Sequence, residues 1–444
     1  MNILIKNATL VNEGEIGNFD VLIEDRLITK IDRNIENTVN AKEFNAEGLH
    51  LLPGVIDDQV HFREPGLMLK GEIYTEAKAA VAGGVTSYME MPNTNPQTTN
   101  LTELEKKYLR ASACSLANYS FFMGGTNHNL EETLKVDYSK VCGLKIFMGS
   151  STGDMLVDHQ EVLEGFFSRV NCLIATHCEY DPLIKENQKR IIEEYGEDIP
   201  AYFHPIIRSE EACYESSSMA VSLAKKHNTR LHVLHISTAK ELALFSNKIP
   251  LKEKRITAEA CIHHLWFSED DYKTKGNFIK WNPSIKTTYD RAKIFEAVLN
   301  DTIDVIATDH APHTLEEKNQ SYLKAPSGGP LVQHGLLAML DFYHDKKISL
   351  DKIAQKMSHH VADLFRIENR GYIREGYFAD LVLVNLNKPT TVSKQNLLYK
   401  CGWSPFEGHT FKSSIEKTFV SGHLVYDNGV FDESKFGSRL SFNL

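Results

Sequence analysis

Between residues 55 and 308 the chain switches repeatedly between short apolar runs and longer stretches of helical periodicity, and that alternation limits its fold more than any other feature. The apolar runs fall at residues 55–57, 85–91, 118–123, 141–148, 173–176, 231–234, 256–258 and 303–308; helical stretches between them include 72–82, 101–115 and 217–226. Strands separated by helices pair in parallel, because each crossover returns the chain in the same direction. Eight such strands are the number a closed (β/α)8 barrel requires. The expected class is therefore α/β, a TIM barrel spanning residues 54–365.

Both ends read differently. Residues 1–53 return to short strands and turns, as in Ile3-Leu4-Ile5, Asp20-Val21-Leu22-Ile23 and Leu27-Ile28-Thr29. Residues 366–444 do the same, in Leu381-Val382-Leu383-Val384, Thr418-Phe419-Val420 and Leu424-Val425-Tyr426, followed by an Asp427-Asn428-Gly429 turn. The two ends are expected to pair into one small β-sandwich domain built from both chain termini. At 444 residues the chain has the length for a large barrel plus such an accessory domain.

A formal net charge of -10 argues against a nucleic-acid or anionic-membrane partner, either of which favours clustered Lys and Arg. The seven cysteines include no C-x-x-C pair, which excludes a Cys-based zinc site and a disulfide framework and points to a reducing, cytoplasmic setting. Lys6 and Asn7 interrupt the first apolar stretch, so it lacks the core of a signal peptide, and no run is long enough to cross a bilayer. A small-molecule substrate remains.

In a barrel of this kind the reactive residues gather at the C-terminal ends of the strands. Strand one runs into His61, strand five into His177, strand six into His235 and strand eight into Asp309-His310-Ala311-Pro312-His313. Imidazole nitrogen and carboxylate oxygen are what zinc binds, and a catalytic site keeps a position for water. Most of the 19 histidines, among them His128, His159, His204 and His227, are expected at the surface or in packing roles, and His232 and His263 in the core or behind the ligands.

Strand four holds Lys145 among apolar neighbours, in Gly143-Leu144-Lys145-Ile146-Phe147. Two readings stand side by side. A lowered pKa would let the neutral amine add carbon dioxide and become a metal-bridging carbamate; alternatively its head snorkels to the barrel mouth. Asp309 can bind metal or take a proton from water. Arg63, Asn93 and His313 combine a cation with hydrogen-bond donors, a set suited to a substrate carboxylate. Asn282 and the turn at Ala325-Pro326-Ser327-Gly328-Gly329-Pro330 offer further polar contacts or an ordinary loop.

His61-Phe62-Arg63-Glu64-Pro65-Gly66, Met91-Pro92-Asn93-Thr94, Ala307-Thr308-Asp309-His310-Ala311-Pro312-His313 and Gly376-Tyr377-Phe378-Ala379-Asp380-Leu381 together resemble the dihydroorotases of the amidohydrolase superfamily, nearly end to end. The resemblance implies reversible conversion of N-carbamoyl-L-aspartate to (S)-dihydroorotate in pyrimidine synthesis. It implies zinc, one or two ions per chain, held by His61, carboxylated Lys145, His177, His235 and Asp309, with Asp309 also shuttling the proton. Arg63, Asn93 and His313 then clamp the substrate carboxylate and Asn282 adds a contact. Some relatives use an aspartate after strand four, a position for which Asp154 competes with Lys145. Within the same fold the alternatives are a dihydropyrimidinase, hydantoinase or allantoinase. A metal-poor pseudoenzyme partnering aspartate transcarbamoylase is another reading, and a homodimer is a further expectation. Gln59-Val60-His61 stands where the family reads His-x-His, and a neutral amide is a poorer zinc ligand than imidazole.

Overall fold

Apolar residues near the N-terminus alternate or cluster so that each strand buries one face, and they pair before the barrel begins. The structure, a computed structural model, describes residues 2–37, 39–149 and 155–444. β1 (Ile3–Asn12) pairs antiparallel with β2 (Glu15–Glu24), which pairs with β3 (Leu27–Asp32). On its other side β1 takes β4 (Lys42–Asn45) and then β5 (His50–Pro53), both parallel.

The barrel strands follow: β6 (Val55–Val60), β7 (Val85–Glu90), β8 (Asn118–Phe121), β9 (Met123–Gly124), β10 (Leu144–Phe147), β11 (Leu173–His177), β12 (Arg230–Val233), β13 (Ile256–Cys261) and β14 (Val305–Ala307). β8 and β9 are one barrel strand interrupted at Phe122. All neighbouring pairs are parallel, in the series β6-β7-β8 and β9 through β14. A parallel bridge from Val60 to His310, with the His61 N–H donating to the His310 carbonyl at 2.7 Å, brings the eighth strand back to the first. Every residue of β6, β7, β10 and β11 is buried, because helices such as Ile73–Ala82 and Glu210–His227 cover the outer face while side chains fill the inside.

β15 (Leu381–Asn385) pairs antiparallel with β5, which ties the C-terminal strands to the N-terminal ones. β16 (Thr390–Thr391) and β17 (Thr410–Phe411) make a separate two-stranded ribbon, while β18 (Ser414–Val420), β19 (His423–Asp427) and β20 (Val430–Phe431) extend the sheet. The terminal strands thus form one β-rich domain from both chain ends, hydrogen-bonded along β20-β19-β18-β15-β5-β1-β2-β3 with β4 on β1. Its core interleaves Ile3, Ile5, Val21 and Ile23 with Leu381, Leu383 and Phe419. No helix among the described residues is long and apolar enough to cross a membrane.

Strand ends match the sequence reading less closely than strand number. β6 continues past residue 57 to Val60, and between Asp57 and Val60 its register against β7 slips. Two residues, Asp58 and Gln59, there face one on β7. Such a bulge redirects side chains that alternation would send to opposite faces.

Candidate active site

At the C-terminal end of the barrel a cavity of about 430 Å³ is lined by Gln59, His61, Arg63, Lys70, Asn93, Lys145, Phe147, His177, His235, Trp281, Asn282, Asp309, His313 and the loop Pro326, Ser327 and Gly328. All nine residues singled out from the sequence line this one space. Arg63, His235 and Asp309 have φ of 72°, 40° and 47°, a left-handed conformation that non-glycine residues adopt at a cost. Each directly follows or lies near a strand end, where the backbone turns so that the side chain faces the cavity.

His61 Nδ1 lies 2.8 Å from Asn93 Oδ1, and an amide oxygen only accepts, so the ring proton sits on Nδ1. The Nε2 lone pair therefore faces the Asp309 carboxylate, with Oδ1 at 3.2 Å. Across the cavity His177 Nε2 donates to Glu179 Oε2 at 2.9 Å, and its Nδ1 lies 2.9 Å from His235 Nε2. His235 Nδ1 is buried with no hydrogen-bond partner among the described residues. Burial, with the nearby positive groups, holds both His61 and His235 well below their ordinary pKa, so both rings are neutral.

Burial also lowers Lys145 to about 7, against the pull of Glu259, Cys178 and Asp309. Its Nζ lies 4.6 Å from the centroid of the Phe147 ring. Asp309 is raised to about 7 by burial, opposed by His177, Lys145 and Arg63. The imidazole nitrogens of His61, His177 and His235 and the Asp309 carboxylate, converging on one cavity, fit a divalent ion of borderline softness. Asp154, the alternative to Lys145, lies outside the described residues.

Opposite these donors is a cationic pole. Arg63 donates from Nε to the Pro312 carbonyl at 3.0 Å, and its Nη2 lies 3.0 Å from His313 Nε2. Burial lowers His313 well below its ordinary range, so the ring has a single proton. Nδ1 lies 3.1 Å from the Lys70 ammonium and can only accept there, which leaves the proton on Nε2 for the Ser327 carbonyl at 2.9 Å. His313 then offers Arg63 Nη2 no lone pair. Among the described residues no carboxylate lies within ion-pair distance of Arg63, although it is buried. Asn282 Oδ1 likewise lacks a partner among the described residues.

Sequence reasoning missed several supports. Glu179, two residues past His177, orients that ring and pairs with Arg208, 29 positions away. Gln59 is placed as a donor: its Nε2 donates to Asp309 Oδ1 at 3.1 Å, and its Oε1 accepts from Cys261 Sγ at 3.6 Å. Trp281 stacks on His263 at 4.5 Å and donates from Nε1 to the Asp309 carbonyl at 3.2 Å. Buried Lys318 donates to the carbonyls of Pro326 and Gly328 at 2.9 and 2.7 Å, so the loop at 325–330 is a pinned wall. Of this wall the sequence marks only Asn282 and the turn at 325–330, each with an ordinary loop as its alternative.

The model of the amidohydrolase family matches residues 50–425, and the chain belongs to that family. Its curated relatives carry different names. An allantoinase from Desulfitobacterium hafniense is 29% identical over 99% of this chain and 98% of its own length. A dihydroorotase from Methanosphaera stadtmanae is 28% identical over 98% of this chain and 99% of its own. Among solved structures, an L-hydantoinase (dihydropyrimidinase) from Arthrobacter aurescens superposes with a TM-score of 0.93 at 25% identity, covering 99% of each chain. The common ground is hydrolysis of cyclic amides by a metal-dependent type of enzyme.

Proposed function

We propose that the protein is a zinc-dependent cyclic amide hydrolase whose substrate ring bears a carboxylate, and specifically a dihydroorotase. The observation that carries this reading is the buried Arg63 guanidinium, which faces the cavity with no carboxylate partner among the described residues. Burying a cation without a counter-charge is costly, and a bound carboxylate removes the cost through charge-assisted hydrogen bonds. A neutral hydantoin or dihydropyrimidine offers Arg63 nothing equivalent.

His61, Lys145 as its carbamate, His177, His235 and Asp309 are the residues that would hold zinc, which when bound polarises a carbonyl and makes water more acidic. Asn93 fixes the His61 tautomer and Glu179 that of His177, which keeps lone pairs toward the cavity. Arg63 and the Asn93 amide N–H orient the substrate carboxylate, His313 flanks them with its proton on the Ser327 carbonyl and so leaves Arg63 Nη2 free, and the vacant Asn282 Oδ1 accepts from a ring N–H. Asp309, near 7, takes a proton from the attacking water and returns it to the leaving nitrogen; ring closure reverses the path. The retained set of inward-facing donors supports an enzyme over a pseudoenzyme.

The experiment is a comparison of purified, zinc-supplied protein on dihydroorotate, dihydrouracil, hydantoin and allantoin. A kcat/KM for dihydroorotate well above the three uncharged rings is expected. A preference for any uncharged ring would overturn the dihydroorotase reading and leave the cyclic amidase.

A further inference from the structure

One layer below the cavity, inside the barrel, lies a second convergence of donors. The bulge in β6 turns both Asp58 and Gln59 inward: Gln59 reaches Asp309, while Asp58 reaches His232 on β12 and Glu259 on β13. His232 Nε2 is 3.2 Å from Asp58 Oδ2 and 3.8 Å from Glu259 Oε2, and one donor atom from each residue lies within 4.8 Å of the other two. All three side chains are 0% exposed. Both Asp58 oxygens, Glu259 Oε2 and His232 Nε2 lack a hydrogen-bond partner among the described residues.

The tautomer of His232 follows from its neighbour. Thr257 donates its hydroxyl proton to the Leu231 carbonyl at 3.1 Å, so Thr257 Oγ1 accepts from His232 Nδ1 at 2.8 Å. One ring proton is therefore on Nδ1, and Nε2 points among the carboxylate oxygens; burial opposes a second proton there, but Asp58 and Glu259 outweigh it and raise the imidazole to about 9. Without that second proton three electron-rich atoms face one another in an enclosed space, with the Phe365 ring 5.8 Å from the imidazole. Such an arrangement persists only if positive charge lies between them. A second proton on Nε2 supplies one positive charge, 3.2 Å from Asp58 Oδ2 and 3.8 Å from Glu259 Oε2, and leaves one of the two buried carboxylates unbalanced. A divalent ion balances both.

We propose that Asp58, His232 and Glu259 bind a divalent transition-metal ion, zinc by the mixture of one imidazole and two carboxylates, at a structural site separate from the hydrolytic one. The remaining Glu259 oxygen, Oε1, accepts from the His235 N–H at 2.8 Å and from Cys261 Sγ at 3.3 Å. The deep ion thereby braces the strand end that carries His235. With its ligands wholly buried, it enters as the chain folds and resists chelators afterwards.

Crystals of the unmutated protein, grown from zinc-supplemented culture, would be measured on both sides of the zinc absorption edge. Anomalous density among Asp58, His232 and Glu259 is expected. In parallel, elemental analysis of Asp58→Asn should show a loss of about one zinc equivalent per chain relative to the parent, with the ions at the cavity retained. Absence of anomalous density at this position overturns the proposal and means that protons alone hold the cluster, whether or not Asp58→Asn folds. Unchanged zinc content in a folded Asp58→Asn protein overturns it equally.

Discussion

Replacing Arg63 by methionine keeps the bulk of the side chain while removing the cation that faces the cavity. In the parent, Arg63 spends Nε on the Pro312 carbonyl and holds its remaining N–H groups toward the cavity, where His313 cannot accept them. Truncating one side of a buried, hydrogen-bonded charge pair costs about 2–4 kcal/mol, less than the pair's gross Coulomb energy because the lost partner's solvation is partly recovered. At about 1.4 kcal/mol per decade this lowers kcat/KM for dihydroorotate roughly 30- to 1,000-fold. The fall should appear mainly in KM, since the carboxylate keeps its charge from ground state to transition state. Steady-state hydrolysis of dihydroorotate and dihydrouracil by parent, Arg63→Met and Arg63→Lys separates recognition from damage. Dihydrouracil turnover should change by less than about 3-fold, and lysine should restore part of the loss through charge without the planar fork. An equal fall on both rings would refute the reasoning, because it would make Arg63 a support for the Pro312 segment and not a carboxylate contact.

Asp309→Asn should lower turnover by roughly 10²- to 10⁴-fold with an unchanged melting temperature and circular dichroism, since it removes a proton acceptor at little steric cost; an active variant refutes the assigned role. Lys145→Ala should abolish activity, with partial recovery on adding a short carboxylic acid, and full activity with full metal content would exclude the carbamate. Far from the cavity, Asp20 accepts from the Asn7 and Ile35 backbone N–H groups, each at 2.8 Å, and pairs with Lys6 at 2.8 Å. Burial alone would raise its carboxyl, but these partners outweigh it and hold it below the ordinary value. A depressed carboxylate stabilises above its unfolded pKa and stops doing so as pH falls through its folded pKa. Asp20→Asn should therefore cost about 1–3 kcal/mol in urea unfolding at pH 7, and the difference should shrink on acidification below about pH 4.

The barrel was legible because strands buried on both faces are written as apolar runs, and runs can be counted. Their ends were not, and the failure at the first strand is instructive. Asp57, Asp58 and Gln59 look like the exit from a strand, yet all three are buried within β6. Thr308 donates to Asp57, Gln59 donates to Asp309, and Asp58 turns to His232. Partners some 170 to 250 residues away decide that these polar residues stay inside, and no local pattern encodes them. The same holds for Glu179 and Arg208 and for Lys318, whose importance rests on what the fold brings beside them. His61, His177, His235 and Asp309 were readable because each occupies the same place, the end of a strand, in four separate repeats.

Gln59 leaves the cavity one strong donor poorer, which bears on what Lys145 would have to supply. An amide that donates to Asp309 and turns its oxygen to Cys261 adds no strong ligand to the cavity. The remaining side chains His61, His177, His235 and Asp309 supply four donor atoms, which would satisfy one zinc completely and leave no position for water. A carbamate on Lys145 adds two oxygens and raises the total to six, or three for each of two ions, the number that a catalytic zinc takes from protein while keeping a position open. The environment that would make this modification accessible, a buried amine lowered to about 7, would thus also set how many ions the cavity could use. An imidazole at position 59 would raise the count without a carbamate to five, still one short of three for each of two ions. With glutamine there, a two-metal site would need both carbamate oxygens of Lys145.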